Sequence, residues 1–170
     1  QYFPLIEQIP RSQCSSFGSR DQEARVMIDD LHADAAGVGA DKVTCCPLGD
    51  GYEFSFQYDY ARTWKYLVDT FGEAGAHRPE VPLFVEYKPS ETRGRCFVDT
   101  AAKALCLLND IQNKSMGITL DFGHSMYGNE NPAEAFVLLS ESPYQAYVHI
   151  NDNDGRWDWD YMVATRHFLD

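Results

Sequence analysis

Apolar residues fall along this chain in two alternating rhythms, continuous runs of four or five residues and longer stretches spaced by three and four. From Ser19 the helical rhythm comes first: Ala24, Met27, Ile28, Leu31, Ala35 and Val38 share a face, and Gly37 with Gly39 supplies a stop. Val43-Thr44-Cys45-Cys46 reads as a short buried strand closed by Pro47. Tyr60, Trp64, Leu67, Val68 and Phe71 predict the clearest amphipathic helix, with Asp59 as its cap and Gly72, Gly75 and Pro79 behind it. A strand over Leu83–Tyr87, a loop to Arg95 and a helix from about Asp99 to Asn113 form the next unit. Strand Gly117–Asp121 then leads through a loop over 122–129 to a helix around Pro132–Ser140, where Asn131 caps and Pro132 takes the first turn. Strand Ala146–Ile150, an acidic loop and a helix starting near Asp158 complete the pattern. Residues 1–19 are the least readable, with Tyr2–Ile6 a candidate fifth strand and Ser12–Ser19 a loop.

Strand and helix in strict alternation predict an α/β fold, a parallel sheet covered by helices, in one domain over 1–170. In such sheets chemistry gathers beyond the C-terminal ends of the strands. Three consecutive strands end here on Glu86, Asp121 and His149. Two carboxylates and an imidazole suit a hard to borderline divalent ion, Mn²⁺ foremost, with Mg²⁺, Co²⁺ or Zn²⁺ as alternatives.

Neighbouring residues extend this pattern. Lys88 lies two residues past Glu86, on the same side of an extended chain, where an ammonium can steady or protonate a substrate oxygen. His124 can fold back toward Asp121 across the turn at Gly123, and Asn151 faces as His149 does. Asp158 and Asp160 flank Trp159 and are expected to supply, with His124, a second metal position. Taken singly, each of these is more often a helix cap or a solvated charge; at three strand ends in succession, metal is the better account. The aromatic stretch Leu48–Tyr58, with Tyr52, Phe54 and Phe56 alternating, serves equally well as a substrate wall or as filling for the mouth of the fold.

Composition narrows the function classes. At 170 residues and 44% apolar content the chain can bury a core, and its net charge of -12 would repel nucleic acid and anionic membranes over most of the surface. Cys14, Cys45, Cys46, Cys96 and Cys106 are odd in number and lack a C-x-x-C spacing, which suits reduced thiols in a cytoplasmic protein. No run is long enough for a membrane span, and Gln1-Tyr2-Phe3-Pro4 does not open a signal peptide; lacking an initial Met, the chain is expected to have its natural N-terminus upstream. His32, His77 and His167 look structural, and no flanking base activates Cys45-Cys46. There is no G-x-G-x-x-G, phosphate loop or G-x-S-x-G elbow.

Val85-Glu86-Tyr87-Lys88-Pro89, Leu120-Asp121-Phe122-Gly123-His124 and His149-Ile150-Asn151-Asp152-Asn153 with Asp158-Trp159-Asp160 resemble the xylose isomerase-like TIM-barrel superfamily, most closely the L-rhamnose isomerase-type sugar isomerases. The resemblance runs from about residue 20 onward and implies a partial (β/α)8 barrel of four to five βα units, lacking the first strands and the last. It further implies that Glu86, Asp121 and His149 hold a structural or substrate-binding metal, that His124, Asp158 and Asp160 belong to a second, catalytic one, and that Lys88, His124 and Asn151 touch substrate. Members interconvert aldoses and ketoses by a metal-assisted hydride shift, or epimerise ketoses through an enediolate. The family's last carboxylate ligand has no counterpart before Asp170, so the chain is expected to span the third to seventh strands and to associate with another copy or stay marginally stable. Two other functions compete: an apurinic-site endonuclease-like metal phosphodiesterase, disfavoured by the acidity, and a non-catalytic sugar- or metal-binding remnant of the fold. A purified 170-residue chain is expected to show weak or no isomerase activity; ordinary turnover of a simple aldose with Mn²⁺ would contradict this.

Overall fold

Four strands lie side by side, all parallel, in the order β1 (Val43–Cys45), β2 (Leu83–Glu86), β5 (Gly117–Asp121) and β6 (Gln145–His149). The computed structural model describes residues 22–47, 56, 59–91 and 94–167, with the backbone alone for 22–29. Tyr2–Ile6, the Ser-rich stretch and all of Leu48–Tyr58 except Phe56 lie outside the described residues. Helix α1 (Gln22–Gly37) precedes β1, α2 (Tyr60–His77) joins β1 to β2, and α3 (Ala101–Ile111) joins β2 to β5. A short α4 (Phe122–Tyr127) and then α5 (Pro132–Ser140) connect β5 to β6. Among the described residues no helix is long and apolar enough to cross a membrane.

Alternation along each strand sorts its side chains onto two faces. Leu83, Val85, Ile118 and Leu120 turn toward the helices, where they pack with Leu67 and Phe71 of α2 and Ala104, Leu107 and Leu108 of α3 in one buried core. The helices start where side chains offer acceptors to their unpaired N–H groups: Asp59 accepts from Arg62 N at 3.2 Å, Thr100 from Lys103 N at 3.2 Å and Asn131 from Ala133 N at 2.9 Å. At the other end of α3, Gln112 adopts φ 60° and its N–H closes on the Leu108 carbonyl at 2.8 Å.

The opposite face carries Thr44, Phe84, Glu86, Thr119, Asp121, Tyr147 and His149, aligned by the registers Thr44↔Phe84, Glu86↔Thr119 and Asp121↔His149. Thr44 and Thr119 share a 3.0 Å hydrogen bond over the intervening β2, and Lys42 Nζ lies 4.6 Å from the centre of the Tyr147 ring although two strands separate β1 from β6. A flat sheet would hold β1 and β6 roughly 14 Å apart. The sheet therefore curls around this face like the wall of a barrel, with half of the ~8 strands that closure takes.

Three local expectations give way to longer-range contacts. The loop after β2 pairs with itself as an antiparallel hairpin, β3 (Ser90–Glu91) with β4 (Gly94–Arg95). The expected loop over 122–129 contains α4, because the Asp121 side chain caps it by accepting His124 N at 3.1 Å. The expected helix from Asp158 does not form: residues 158–160 carry no helical structure, and Tyr161 pairs with Asp152 in an antiparallel bridge. Buried Asn153 donates to the carbonyls of both Trp157 and Trp159 at 2.9 Å, taking acceptors that a helix would have used.

Gly117 tests the packing of the curled face. A methyl group on its Cα would strike the ring of Phe84, which is buried and rigid. Gly117→Ala should destabilise the chain by about 1–3 kcal/mol in urea unfolding; an unchanged midpoint would contradict the packing described.

Candidate metal centre

The pairing of β2, β5 and β6 carries three ionisable side chains to one end of the curled face. Asp121 stands opposite His149 on adjacent strands, and Glu86 closes β2 one strand away. His149 Nδ1 lies 3.4 Å from Glu86 Oε1 and 3.5 Å from Asp121 Oδ2. His124, brought back by the first turn of α4, places Nδ1 3.6 Å from Glu86 Oε1. Glu86, Asp121 and His124 each present a donor atom within 4.8 Å of the others, and all are largely buried.

The two imidazoles differ in what they can offer. His124 Nδ1 is 3.1 Å from the Tyr87 carbonyl, and Nε2 is 3.2 Å from Asp158 Oδ1. Both partners only accept, so the arrangement favours the protonated ring, with hydrogen on both nitrogens. Burial opposes that charge, but Asp158, Asp121 and Glu86 outweigh it and hold the His124 pKa above its ordinary value. His149 instead aims Nδ1 between two carboxylates. Hydrogen bonds to Asp121 and Glu86 raise its pKa to about 9 against a smaller effect of burial. Burial pushes Asp121 up, yet His149, His124 and Asn151 more than reverse it. Glu86 and Asp121 thus favour positive charge at His149, and the mixed oxygen and nitrogen donors of this group suit a divalent ion.

A second group of charges borders this space. Lys88 is buried with Nζ 2.6 Å from Glu91 Oε1 and 2.5 Å from Asp158 Oδ2. Its burial favours the neutral amine, but Cys46 nearby and the two ion pairs keep its pKa above the usual lysine range. Asp158 is lowered to about 2, because His124 and Lys88 overcome the effect of burial. Asp160 moves the other way, raised by burial and by Asp121 and Asp158. Asp158 therefore meets Lys88 and His124, whereas Asp160 meets the Asn151 amide, which also contacts Asp121. Of the second metal grouping expected from the sequence, His124 and Asp158 touch, and Asp160 is joined to the cluster through Asn151.

Sequence reasoning missed Glu91, whose three-residue spacing from Lys88 was the available signal, and Asp152. The buried Asp152 carboxylate accepts the N–H groups of Arg166 at 2.5 Å and His167 at 3.0 Å, and the His167 ring at 2.6 Å, so it anchors the tail that carries Asp158 and Asp160. His32 is fully buried, His77 is exposed at the end of α2, and a hydrogen bond with Cys96, aided by burial, pushes the Cys46 thiol well up, away from nucleophilic use.

Residues 8–168 match a family model described as xylose isomerase-like TIM barrel. A search of curated proteins finds no match. Among solved structures the chain is similar to a D-tagatose 3-epimerase-like protein, with 23% identity and a TM-score of 0.68 over 84% of this chain and 54% of that one. It is also similar to the E. coli 3-keto-D-glucoside 4-epimerase YcjR, with 18% identity and a TM-score of 0.63 over 80% of this chain and 54% of that one. A third is IolI protein with a binding zinc atom, with 18% identity and a TM-score of 0.60 over 82% of this chain and 50% of that one. The chain thus spans about half the length of the structures it resembles.

The anchoring of the tail depends on pH in a definite direction. Burial would raise Asp152, but the N–H groups of Arg166, His167 and Asn153 and the His167 ring hold it well below the ordinary carboxylate range. A carboxyl depressed in the native state contributes its full stabilisation above its unfolded value of ~3.9 and loses it as pH falls through the native value. The Arg166 and His167 amides should be protected from hydrogen exchange at neutral pH and lose protection in acid. In Asp152→Ala they should exchange rapidly at every pH; retained protection in that variant would contradict the anchor.

Proposed function

The chain belongs to the xylose isomerase-like TIM barrel family, and on that premise we propose that it carries the metal-binding and substrate-facing part of a sugar isomerase or epimerase. The observation that carries this reading is the approach of His149 Nδ1 to Glu86 Oε1 and Asp121 Oδ2, 3.4 and 3.5 Å, at the C-terminal ends of strands in one parallel sheet. Glu86, Asp121 and His149 would hold the ion. His124 is the less suitable ligand, since Tyr87 and Asp158 engage both its nitrogens. Mn²⁺ ranks first, with Mg²⁺, Co²⁺ and Zn²⁺ as alternatives for this donor set.

A bound divalent ion supplies the charge that polarises neighbouring carbonyl and hydroxyl oxygens of a sugar. The residues around it supply the rest. Lys88, buried and held protonated between Asp158 and Glu91, donates to a substrate oxygen as negative charge grows on it. His124 stands beside Lys88 on the same carboxylate, and Asp158 aligns the two side chains. Asp160, the more basic of the two tail carboxylates, is placed to take a proton and return it, the step that interconverts aldose and ketose or inverts a carbon next to the carbonyl. Asn151 lies against Asp121 and Asp160, which favours a role in holding them over direct sugar binding.

The partner is therefore a small hydroxy-carbonyl sugar. A net charge of -12 argues against nucleic acid, and with it against a phosphodiesterase. Cys45, Cys46, Cys96 and Cys106 form no disulfide among the described residues, which fits a reducing, cytoplasmic setting. Self-association is proposed from β6, an edge strand among the described residues, and from the exposed Phe136, Val137 and Leu138 of α5.

Titration with Mn²⁺ tests the reading. Glu86→Gln and His149→Asn should each weaken binding by about tenfold or more, and a ketose should raise the melting temperature only when metal is present. Wild-type affinity in both variants, or sugar stabilisation indifferent to metal, would contradict the proposal.

A further inference from the structure

The acidic tail reaches the candidate metal centre through one amide. Asn151 Nδ2 donates to Asp121 Oδ1 at 3.0 Å and Oδ2 at 3.2 Å, and to Asp160 Oδ1 at 2.9 Å. Its Oδ1 accepts the Gly123 N–H at 2.6 Å. A carboxamide has two N–H donors and one carbonyl oxygen. Here one donor serves Asp121, the other serves Asp160, and the oxygen is held by the start of α4.

The fit is close. A Cβ on Gly123 would lie 2.8 Å from Asn151 Oδ1, so the residue following Phe122 must be small for the amide to seat. Asp121 also accepts His124 N at 3.1 Å, which leaves its carboxylate fixed by donors from two different elements. The amide also separates two like charges, since Asp121 raises the pKa of Asp160. An aspartate at 151 would add a third negative charge without a donor. A leucine would take one donor from each carboxylate and leave the Gly123 N–H without its acceptor.

We propose that Asn151 is a positioning residue that fixes the Asp121 carboxylate for the ion and couples Asp160 to it, so that Asp160 influences metal affinity without being a ligand. This rests on reading Asp121 as a metal ligand. Removing a partner that orients a ligand typically costs 10–100-fold in metal affinity.

Co²⁺ gives a readout independent of turnover, because its visible spectrum reports ligand geometry and its titration gives a Kd. In the full chain, Asn151→Ala should weaken Co²⁺ by about tenfold or more and shift the spectrum. Asp160→Ala should weaken it by a smaller factor, while Asp160→Asn, which keeps an oxygen for the Asn151 N–H, should restore both wild-type values. In the Asn151→Ala background, Asp160→Ala should add nothing further. Equal losses for Asp160→Ala and Asp160→Asn would make Asp160 a ligand and overturn the inference. So would a wild-type spectrum and Kd in Asn151→Ala. If Asn151→Ala fails to fold, the Asp160 pair still decides. Wild-type protein that binds no Co²⁺ at all would instead sink the functional reading, and the inference with it.

Discussion

Two carboxylates turned into one buried space repel each other unless a positive charge stands between them. Glu86 and Asp121 are in that position, on neighbouring parallel strands whose register the core has already set. Everything around them answers this repulsion. His149 enters between the pair, the His124 ring lies 3.6 Å from Glu86, and Asn151 donates to Asp121 from the tail. In the protein alone a proton on His149 provides the charge. A divalent ion would do so with a second unit and with its own geometry.

The arrangement follows from how the sheet divides its two faces. Leu83, Val85, Ile118 and Leu120 bury against α2 and α3, and this apolar contact fixes the strands against sliding. A slip of one residue would send Glu86 and Asp121 into the helices and Val85 and Leu120 into the site. The hydrophobic core is thus what keeps the charged cluster assembled. The curl of the sheet, seen where Thr44 meets Thr119 and Lys42 meets Tyr147, then narrows the charged face enough for side chains on different strands to touch.

Much of this was legible in the sequence, for a physical reason. Parallel strands joined by helices all point their C-terminal ends the same way, so a Glu, an Asp and a His each closing an apolar run were bound to gather at one end. The alternation of side chains along each strand also separates Glu86 and Asp121 from the core-facing Val85 and Leu120. What could not be read were contacts set by distant residues. The tail after Asp152 has helix-like composition near Asp158, but the Asn153 amide and the Asp152 carboxylate take its backbone groups and keep it from forming a helix. The hairpin at Ser90–Arg95 is too short for a periodic signal. The division of labour between His124 and His149 likewise depends on the Tyr87 carbonyl and on Asp158, neither of which the spacing of the histidines reveals.

The claim at the centre is that Glu86, Asp121 and His149 share one ion. Anomalous diffraction from crystals of the Mn²⁺-loaded chain tests it most directly. The account predicts a single strong anomalous peak about 2.0–2.3 Å from a Glu86 oxygen, an Asp121 oxygen and a His149 nitrogen, with Asp160 outside the coordination sphere. A peak bound by Asp158 and Asp160, or no ordered ion near Asp121, would contradict it.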